Sequence, residues 1–312
     1  MNKQSPNKPI LLVALGGNAL IQKGQEGTIE QQFANLKVPI RQIAKLSTDY
    51  KIIITHGNGP QVGNLMLQQD YCDAVPKLPL EILVAQTEGQ IGYMIESTLD
   101  EELMKLGIDF KPLVSLITYV VVDKNDPAFK KPTKPIGPGL SKKEAARIQY
   151  PVTKTSKGYR RVVASPRPIT IIEKREIQKL IDMDFIVICC GGGGIPVIRK
   201  GRAFNGVDAV IDKDLASARL AEEVGADIFL MATDVEGAML NFGCKNQKML
   251  RLMSVKETIR YTKEGHFPDG SMLPKVEAAM QFVANQKKKA VITSIKKIEA
   301  SVNGKAGTEF IL

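Results

Sequence analysis

Glycine-rich turns follow three apolar segments of this 312-residue chain, and two of them place asparagine beside glycine. The turns are formed by Gly16, Gly17 and Asn18, by Gly57, Asn58 and Gly59, and by the glycine run at 191–194. Glycine lets the backbone approach a ligand closely, and the free N–H groups at the start of a following helix attract anions. One such turn is explained as well by tight packing of a strand against a helix. Three of them favour an edge that binds oxyanions.

Two lysines stand where helices are expected to begin. Lys213 lies between Asp212 and Asp214, and Lys275 follows Pro274, a residue type that the first helical turn tolerates. A cation at a helix N-terminus opposes the helix dipole, so neither position favours stability by itself. Surface lysines at turns would account for either residue singly. Together the two lysines indicate a clamp for a bound polyphosphate.

Several other kinds of site lack their motifs. The sequence has no GxxxxGK[ST] phosphate loop, and none of its glycine turns makes GxGxxG. Its four cysteines, at 72, 189, 190 and 244, show no CxxC spacing and are interpreted as free thiols packed as small hydrophobic residues. The two histidines, His56 and His266, are far apart in sequence. A His/Cys metal site is therefore not expected.

The elements that must position these residues alternate along the chain. Apolar, β-rich segments predict strands at 10–15, 51–55, 113–122, 185–190, 228–232, 290–294 and 309–312. Helical patterns are found at 30–46, from just after Asp214, and at 173–181, 254–263 and 275–284. Strands alternating with helices predict an α/β domain with a mostly parallel sheet, whose strand C-termini share one ligand-binding edge.

One stretch interrupts this alternation. Residues 123–167 are rich in proline, glycine and lysine and too polar for a core strand–helix unit. Such a stretch predicts an inserted subdomain or lid.

Composition and charge narrow the class of protein. Hydrophobic residues make up 44% and charged residues 24%, which argues against disorder. The 43 Lys and Arg outnumber the 33 Asp and Glu, and the resulting charge of +10 suits anionic partners. Aromatic residues reach only 5% and Trp is absent, which disfavours base-stacking surfaces. The apolar segment at 10–15 is too short for a signal peptide or a membrane span, so we expect a cytoplasmic protein with no membrane partner.

The sequence resembles the carbamate kinases, a branch of the amino-acid-kinase superfamily. The resemblance rests on strings that occur in order from about Leu12 to the C-terminus: ALGGNAL, THGNGPQVG, QIGYM, VDKNDPAF, PTKPIGP, RRVVASPRP, GGGGIPV, GVDAVIDKDLA, TDVEGA and SMLPKVEAA. ALGGNAL and SMLPK are shared across the superfamily. PTKPIGP, with VDKNDPAF before it, is more specific, because it marks the protruding subdomain of carbamate kinases.

The resemblance implies a fold and an activity. The fold would be a three-layer α/β/α sandwich with a mostly parallel central sheet and a protruding subdomain at about 123–167. An N-terminal lobe, 1–204, would hold carbamate or carbamoyl phosphate, and a C-terminal lobe, 205–312, would bind the nucleotide. Such enzymes catalyse ATP + carbamate ⇌ ADP + carbamoyl phosphate with Mg²⁺ held through the ATP phosphates. The resemblance also implies a homodimer with small-molecule substrates and no nucleic-acid partner, which would make ATP from carbamoyl phosphate in arginine or purine breakdown.

The resemblance assigns roles to individual residues. Gly16, Gly17 and Asn18 would cradle the transferring phosphoryl group, and Gly57, Asn58 and Gly59 would help to hold carbamate. The residues implied in catalysis are Lys134, Lys213, Asp214 and Lys275. Those implied in nucleotide binding are Asp212, Lys213, Thr233, Asp234, Val235, Ser271, Met272 and Lys275. Lys134 would substitute for the lysine that acetylglutamate kinases carry in the first turn, where this chain has Gly16.

Departures from the family pattern leave two alternatives. Thr87 and Glu88 stand where carbamate kinases commonly have Ser-Gln, and Glu88 either faces the acceptor or lies on the surface or behind the site. Leu273 replaces the usual glycine, as in acetylglutamate kinases, so another carboxylate-phosphorylating kinase is one alternative. Lysine clusters at 130–131, 287–289 and 296–297 suggest a nucleic-acid-binding protein as the other, although no aromatic residues are interleaved with them.

Overall fold

The computed structural model describes residues 8–108, 111–146, 150–155, 158–268 and 272–312. Within these residues the strands are β1 (Ile10–Leu15), β2 (Lys51–His56), β3 (Leu113–Ser115), β4 (Tyr119–Val122), β5 (Lys134–Leu140), β6 (Val152–Thr155), β7 (Gly158–Val163), β8 (Pro168–Ile171), β9 (Ile186–Ile188), β10 (Ile195–Lys200), β11 (Ala203–Gly206), β12 (Ile228–Thr233), β13 (Met239–Leu240), β14 (Lys248–Met249), β15 (Leu252–Ser254), β16 (Lys289–Ser294) and β17 (Thr308–Ile311). The helices are α1 (Ile29–Leu46), α2 (Gly59–Asp70), α3 (Leu80–Lys105), α4 (Lys142–Ala145), α5 (Lys174–Asp182), α6 (Lys213–Glu223), α7 (Val255–Lys263), α8 (Leu273–Gln286) and α9 (Ile298–Val302).

An eight-stranded sheet runs through the molecule in the order β15-β17-β16-β12-β1-β2-β9-β3. The six strands from β16 to β3 are parallel to one another, whereas β17 and β15 run in the opposite direction at one edge. The predicted mostly parallel sheet is confirmed. The C-terminal ends of β12, β1, β2 and β9 consequently lie side by side, which brings the turns after these strands to one edge.

Helices cover both faces of this sheet. Because successive strand residues point to opposite faces, Leu11 and Val13 of β1 join the core beneath α1, α3 and α9. Leu12 and Ala14 join the core beneath α5, α6 and α8. Burial on both faces explains why β1 is apolar throughout rather than alternating. The three-layer α/β/α sandwich is thereby confirmed.

The segment 113–122 corrects one sequence prediction. It was expected to form a single strand, but it forms β3 in the central sheet and β4 in a second sheet of order β11-β10-β4-β8. Between them the Leu116 amide still bonds to Ile188 O at 2.8 Å, and the Thr118 amide bonds to the Glu88 carboxylate at 3.1 Å. Because apolar residues continue across the break, the hydrophobic pattern did not reveal it.

The proline-rich insertion forms a sheet of its own. Strands β5, β7 and β6 pair antiparallel, in that order. The insertion meets the main body at α2, where Gly63 and Gly137 approach so closely that a Cβ on Gly63 would lie 1.9 Å from the Gly137 Cα. This small sheet is the protruding element that the sequence indicated.

Four of the described helices, α2, α3, α4 and α9, were not identified from the sequence. α2 begins directly after the second glycine turn with Pro60 in its first turn, and α3 runs for 26 residues. The described helices include none that is both long and apolar enough to span a bilayer. The predicted lobe boundary at 204/205 stays a prediction, since the central sheet takes strands from both sides of it.

Candidate active site

The three glycine turns converge at the C-terminal edge of the central sheet. The Gly16 amide donates to Ala232 O at 2.9 Å, and the Gly57 amide donates to Leu15 O at 3.0 Å, so each turn is anchored to a neighbouring strand. A Cβ on Gly57 would lie 3.4 Å from the Gly17 amide nitrogen. Backbone N–H groups of the first two turns are therefore close enough to act on one ligand.

The third turn closes against the second. Cys190 and Gly192 have positive φ angles of 49° and 67°, which reverse the chain directly after β9. A Cβ on Gly192 would lie 2.1 Å from Nδ2 of Asn58. That amide group also donates to Thr87 Oγ1 of α3 at 2.9 Å. The Asn58 side chain is thus held from two sides and has little freedom to move.

A single carboxylate joins the two lysines that the sequence singled out. Asp214 accepts from Lys213 Nζ at 2.5 Å through Oδ1 and from Lys275 Nζ at 2.9 Å through Oδ2. Lys213 is only 9% exposed and Asp214 only 3%. The Lys213 chain also passes the second glycine turn, since a Cβ on Gly57 would lie 3.7 Å from its Cδ. The two lysines that were predicted to clamp a polyphosphate therefore form one connected unit with Asp214, here called the clamp.

Asp212 begins α6 and extends this unit. Its Oδ1 accepts from the amides of Asp214 at 2.9 Å and Leu215 at 3.3 Å, which makes it the N-cap. Its Oδ2 accepts from Lys134 Nζ at 2.9 Å. Lys134 belongs to β5 of the insertion, so the insertion supplies a cation to the head of α6.

The charges in this cluster are shaped by burial and pairing. Burial alone would raise the pKa of Asp214, but Lys213 and Lys275 hold it well below its usual range. Burial lowers the pKa of Lys213, with Asp214 opposing the shift. Burial likewise opposes the charged form of Lys275, yet Asp214 raises the Lys275 pKa above the ordinary lysine value. Three lysines are hydrogen-bonded to two carboxylates in this cluster, and Asp234 also acts on Lys275, so the cluster presents cations to an anion from a balanced set of charges.

A cavity of about 560 Å³ opens beside the clamp. The predicted site residues that line it are Asn18, Thr233, Asp234, Val235, Met272 and Lys275. Sequence reasoning missed the others, which are Lys23, Gly237, Met239, Phe242 and Pro268. Met239 lies in β13, and Phe242 lies in the loop between β13 and β14. These two-residue strands are too short to give a periodic pattern in the sequence. A cavity with apolar walls and a cationic end suits a nucleoside polyphosphate.

Two predicted site residues remain, Gly59 and Ser271. Gly59 opens α2, so its amide is one of the unpaired N–H groups at a helix start. Ser271 lies outside the described residues.

Behind the glycine turns lie two buried titratable groups. His56 is 2% exposed and Glu88 is 3% exposed. Burial lowers the pKa of His56 to about 4, so its ring is neutral at physiological pH. Burial raises the pKa of Glu88 to about 8, although hydrogen bonds from Thr118 oppose the rise. The structure places Glu88 behind the turn at 191–194, where the sequence left its position open.

Comparison with known proteins agrees with this geometry. The profile of the amino acid kinase family matches residues 9–294. Carbamate kinase of Thermococcus kodakarensis is 46% identical over 311 residues, covering 96% of this chain and 98% of the relative. Carbamate kinase of Clostridium perfringens is 43% identical, with 96% and 99% covered. The structure of Giardia lamblia carbamate kinase bound to citric acid has a TM-score of 0.92 at 37% identity, covering 98% of this chain and 99% of that one.

Fold, site and comparisons together define the class. The chain is an ATP-dependent kinase of the amino acid kinase family, and within that family it belongs to the carbamate kinases. The same Giardia lamblia enzyme has also been solved with the ATP analogue AMP-PNP, with a TM-score of 0.89 to this chain.

Proposed function

We propose that this chain catalyses the reversible reaction ATP + carbamate ⇌ ADP + carbamoyl phosphate. The observation that carries the proposal is the shared carboxylate of Asp214, which holds Lys213 and Lys275 between the glycine turns and the cavity. Phosphoryl transfer depends mainly on positioning and on neutralising charge over the phosphoryl oxygens. A rigid pair of cations between a nucleotide cavity and an oxyanion-binding edge supplies both.

The chemistry needs no general base. A carbamate oxygen is already anionic and attacks the γ-phosphorus, and the bond from that phosphorus to the β–γ bridging oxygen breaks. Lys213 and Lys275 stabilise the charge that develops on the leaving oxygen. The neutral ring of His56, buried behind the turns, is not required to move a proton.

The glycine turns would hold the acceptor side. Backbone N–H groups of Gly16, Gly17 and Asn18 face the transferring phosphoryl group in this proposal, and those of Gly57, Asn58 and Gly59 face carbamate. Backbone donors of this kind cost no reorganisation when charge develops, because the fold has already oriented them. Lys134, on β5 of the insertion, lies beside this acceptor side, where it bonds to Asp212.

Mg²⁺ is proposed to arrive with the nucleotide. All four carboxylate oxygens of Asp212 and Asp214 accept hydrogen bonds from protein groups, so these residues do not form a ready metal cage. Among the described residues no cluster of three or more His, Cys, Asp or Glu could hold an ion. This donor set suits an ion bound mainly by phosphate oxygens and water, which neutralises phosphate charge during transfer.

We assign the nucleotide to the cavity beside the clamp. Its phosphates would meet Lys275 and the head of α6, with Asp212 orienting the cations, and its base would lie among Met239, Phe242 and Met272. This assignment makes 205–312 the nucleotide-binding lobe and 1–204, with its protruding subdomain, the carbamate lobe. Thr233, Asp234, Val235 and Ser271 keep their predicted nucleotide-binding roles.

The wider setting of the enzyme is part of the same proposal. We expect a cytoplasmic homodimer that makes ATP from carbamoyl phosphate formed in arginine or purine breakdown. An exposed tyrosine supports self-association: Tyr93 is 66% exposed, and its ring packs edge-on against the partly buried Phe33 at 6.4 Å between ring centroids. Light scattering of the purified chain measures the oligomeric state, and a monomeric mass would contradict the dimer.

The lysine clusters offer little support for nucleic-acid binding. Lys288 pairs with Asp227 and Lys289 with Glu309, each at 2.9 Å. Lys297 pairs with Glu236. Three of the seven clustered lysines are thus paired with carboxylates, which reduces the charge they offer to a phosphate backbone.

A coupled assay tests the proposed reaction. ATP formation is measured from ADP, Mg²⁺ and carbamoyl phosphate, and phosphorylation of N-acetylglutamate by ATP is measured in parallel. We expect activity with carbamoyl phosphate only. Activity confined to the acylated amino acid would replace the carbamate assignment with another carboxylate kinase.

A further inference from the structure

The phosphate clamp and the cavity make no use of one buried acid. Glu88 lies on α3, 3% exposed, behind the turn that follows β9. A Cβ on Gly191 would lie 3.0 Å from Glu88 Cγ and 2.5 Å from the His56 ring, so glycine is needed at 191 for these groups to pack. Glu88 therefore supports the turn that closes against Asn58.

Thr118 links Glu88 to the start of that turn. The Thr118 amide donates to Glu88 Oε2 at 3.1 Å, and Thr118 Oγ1 lies 3.0 Å from Glu88 Oε1. The same hydroxyl accepts from the Cys190 amide at 2.6 Å and lies 3.4 Å from Leu116 O. One hydroxyl hydrogen cannot serve both Glu88 and Leu116 O, so its direction depends on the protonation state of Glu88.

The next residue of α3 supports the same turn from its other side. Thr87 Oγ1 accepts from Asn58 Nδ2 at 2.9 Å, and Asn58 in turn packs on Gly192. Thr87 therefore fixes Asn58, and its neighbour Glu88 supports the glycine turn that packs on Asn58.

Burial and a neighbouring carboxyl disfavour the ionised form of Glu88, and together they outweigh the hydrogen bonds from Thr118 and the Gly191 amide that favour it. The carboxyl of Glu173, which accepts from the Tyr119 amide at 2.9 Å, repels it from the start of β4. From β2 it faces His56, whose ring is neutral, and from the end of β9 the thiol of Cys190, whose pKa is raised by Cys189 and by burial. Lys213, on α6, acts on His56 on the other side of the turn.

We propose that Glu88 is a positioning residue that works as a neutral carboxylic acid, and that loss of its proton at alkaline pH weakens the acceptor half of the site. When protonated, Glu88 donates a hydrogen bond to Thr118 Oγ1. The Thr118 hydroxyl then still accepts from the Cys190 amide, and it donates its own hydrogen to Leu116 O. When the proton passes to solvent, Thr118 turns to Glu88, and Leu116 O loses that hydrogen bond. A buried negative charge then stands behind the turn at 191–194, which packs on Asn58, a residue assigned to carbamate.

The raised pKa of Glu88, about 8, agrees with this geometry. Because the inference concerns the acceptor side, it rests on the proposed function.

The test compares the pH profiles of the native enzyme and Glu88→Gln. ATP formation from ADP and carbamoyl phosphate is measured between about pH 6 and pH 10. For the native enzyme we expect KM for carbamoyl phosphate to rise up to tenfold per pH unit above about pH 8, while KM for ADP stays constant. In Glu88→Gln, which has no proton to lose at this position, this rise should be absent. Identical profiles in the two proteins would overturn the proposal.

Glu96→Gln is the matched control. Glu96 lies on the same helix and accepts from Ser115 Oγ at 2.9 Å, away from the glycine turn. We expect this variant to keep the native profile. A shift of its profile equal to that of Glu88→Gln would also overturn the proposal, because any carboxylate on α3 would then have the effect.

An infrared measurement decides the protonation state independently of activity. The native-minus-variant difference spectrum should show the carbonyl band of a protonated carboxylic acid at neutral pH and lose it at alkaline pH. If that band is absent at neutral pH, Glu88 is ionised and the proposal fails. If the native enzyme makes no ATP from carbamoyl phosphate at any pH, the proposed function fails instead, and the band still reports on Glu88. Should Glu88→Gln not fold, Glu88→Met provides the comparison spectrum, because methionine also has no carboxyl group.

Discussion

Lys134 Nζ lies 2.9 Å from Oδ2 of Asp212, a residue 78 positions later in the chain. The contact joins β5 of the inserted sheet to the N-cap of α6, and the two side chains are 23% and 21% exposed. At that exposure the pair contributes at most about 1 kcal/mol to stability. Its significance is positional, because it brings a third lysine to the clamp formed by Lys213 and Lys275.

Removing the charge of Asp212 tests this relationship. Asparagine is also a good N-cap, so Asp212→Asn should change the free energy of unfolding by less than about 1 kcal/mol. Without a carboxylate to hold it, Lys134 loses its placement, and kcat/KM for carbamoyl phosphate should fall roughly 10- to 100-fold. Steady-state kinetics and urea unfolding measure the two effects. Ser254→Ala, which removes the N-cap of α7, should cost about 1 kcal/mol and leave kcat/KM unchanged. Native activity in Asp212→Asn would exclude an active role for the Lys134 contact.

The two clamp lysines should dominate turnover. Lys213→Ala and Lys275→Ala should each lower kcat by about 10²- to 10³-fold, because each removes a positioned cation from the leaving oxygen. Lys288→Ala serves as the control, since Lys288 pairs with Asp227 just before β12, at the end of that strand away from the clamp. Its kcat should stay native. Equal small effects of all three substitutions would refute the clamp.

The third glycine turn should tolerate no side chain. In Gly192→Ala the new Cβ would meet Nδ2 of Asn58 at 2.1 Å and displace it. We expect KM for carbamoyl phosphate to rise at least about tenfold, a loss of about 1.4 kcal/mol of binding. Gly201→Ala carries a similar backbone penalty at φ +59° but meets nothing within 4 Å. Similar kinetics of the two variants would show that backbone strain, rather than contact with Asn58, causes any loss.

The nucleotide assignment can be tested at the cavity wall. Phe242→Ala should raise KM for ADP by roughly tenfold through lost apolar contact, with KM for carbamoyl phosphate unchanged. Phe204→Ala, at another partly exposed phenylalanine on β11, is the control and should leave both constants unchanged. A larger effect on carbamoyl phosphate than on ADP would place the nucleotide elsewhere.

Stability should depend on pH through Glu88. Its pKa is raised to about 8 in the folded protein from an ordinary value of 4.5, so unfolding between these values releases a proton. The contribution that favours folding is complete below pH 4.5 and is lost as pH rises to about 8. Relative to Glu88→Gln, the native protein should lose up to about 1.4 kcal/mol of unfolding free energy per pH unit in this window. Urea unfolding of both proteins at several pH values measures this, and a pH-independent difference would contradict a protonated Glu88.

Local patterns predicted the strands and helices that bear most of the site. β1, β2, β12 and β16 lie within one or two residues of their predicted bounds, because continuous apolar runs mark strands covered on both faces. α3 was missed although its buried residues repeat at helical spacing, as at Leu83, Thr87, Ile91 and Ile95. Strands β3 and β4 were predicted as one strand, because the apolar residues continue from one to the other although the two strands belong to different sheets.

The sequence by itself determined the parallel α/β class, the three glycine turns at one sheet edge and the family. These three features depend on hydrophobic periodicity and on short motifs, which can be read from residues close together in the sequence. Only the tertiary structure decided that Asp214 also joins Lys275, 61 residues later in the chain, and that Glu88 is buried against Thr118, 30 residues later. Hydrogen-bond partners and burial of this kind are set by packing between distant segments, and the charge state of a side chain follows from them.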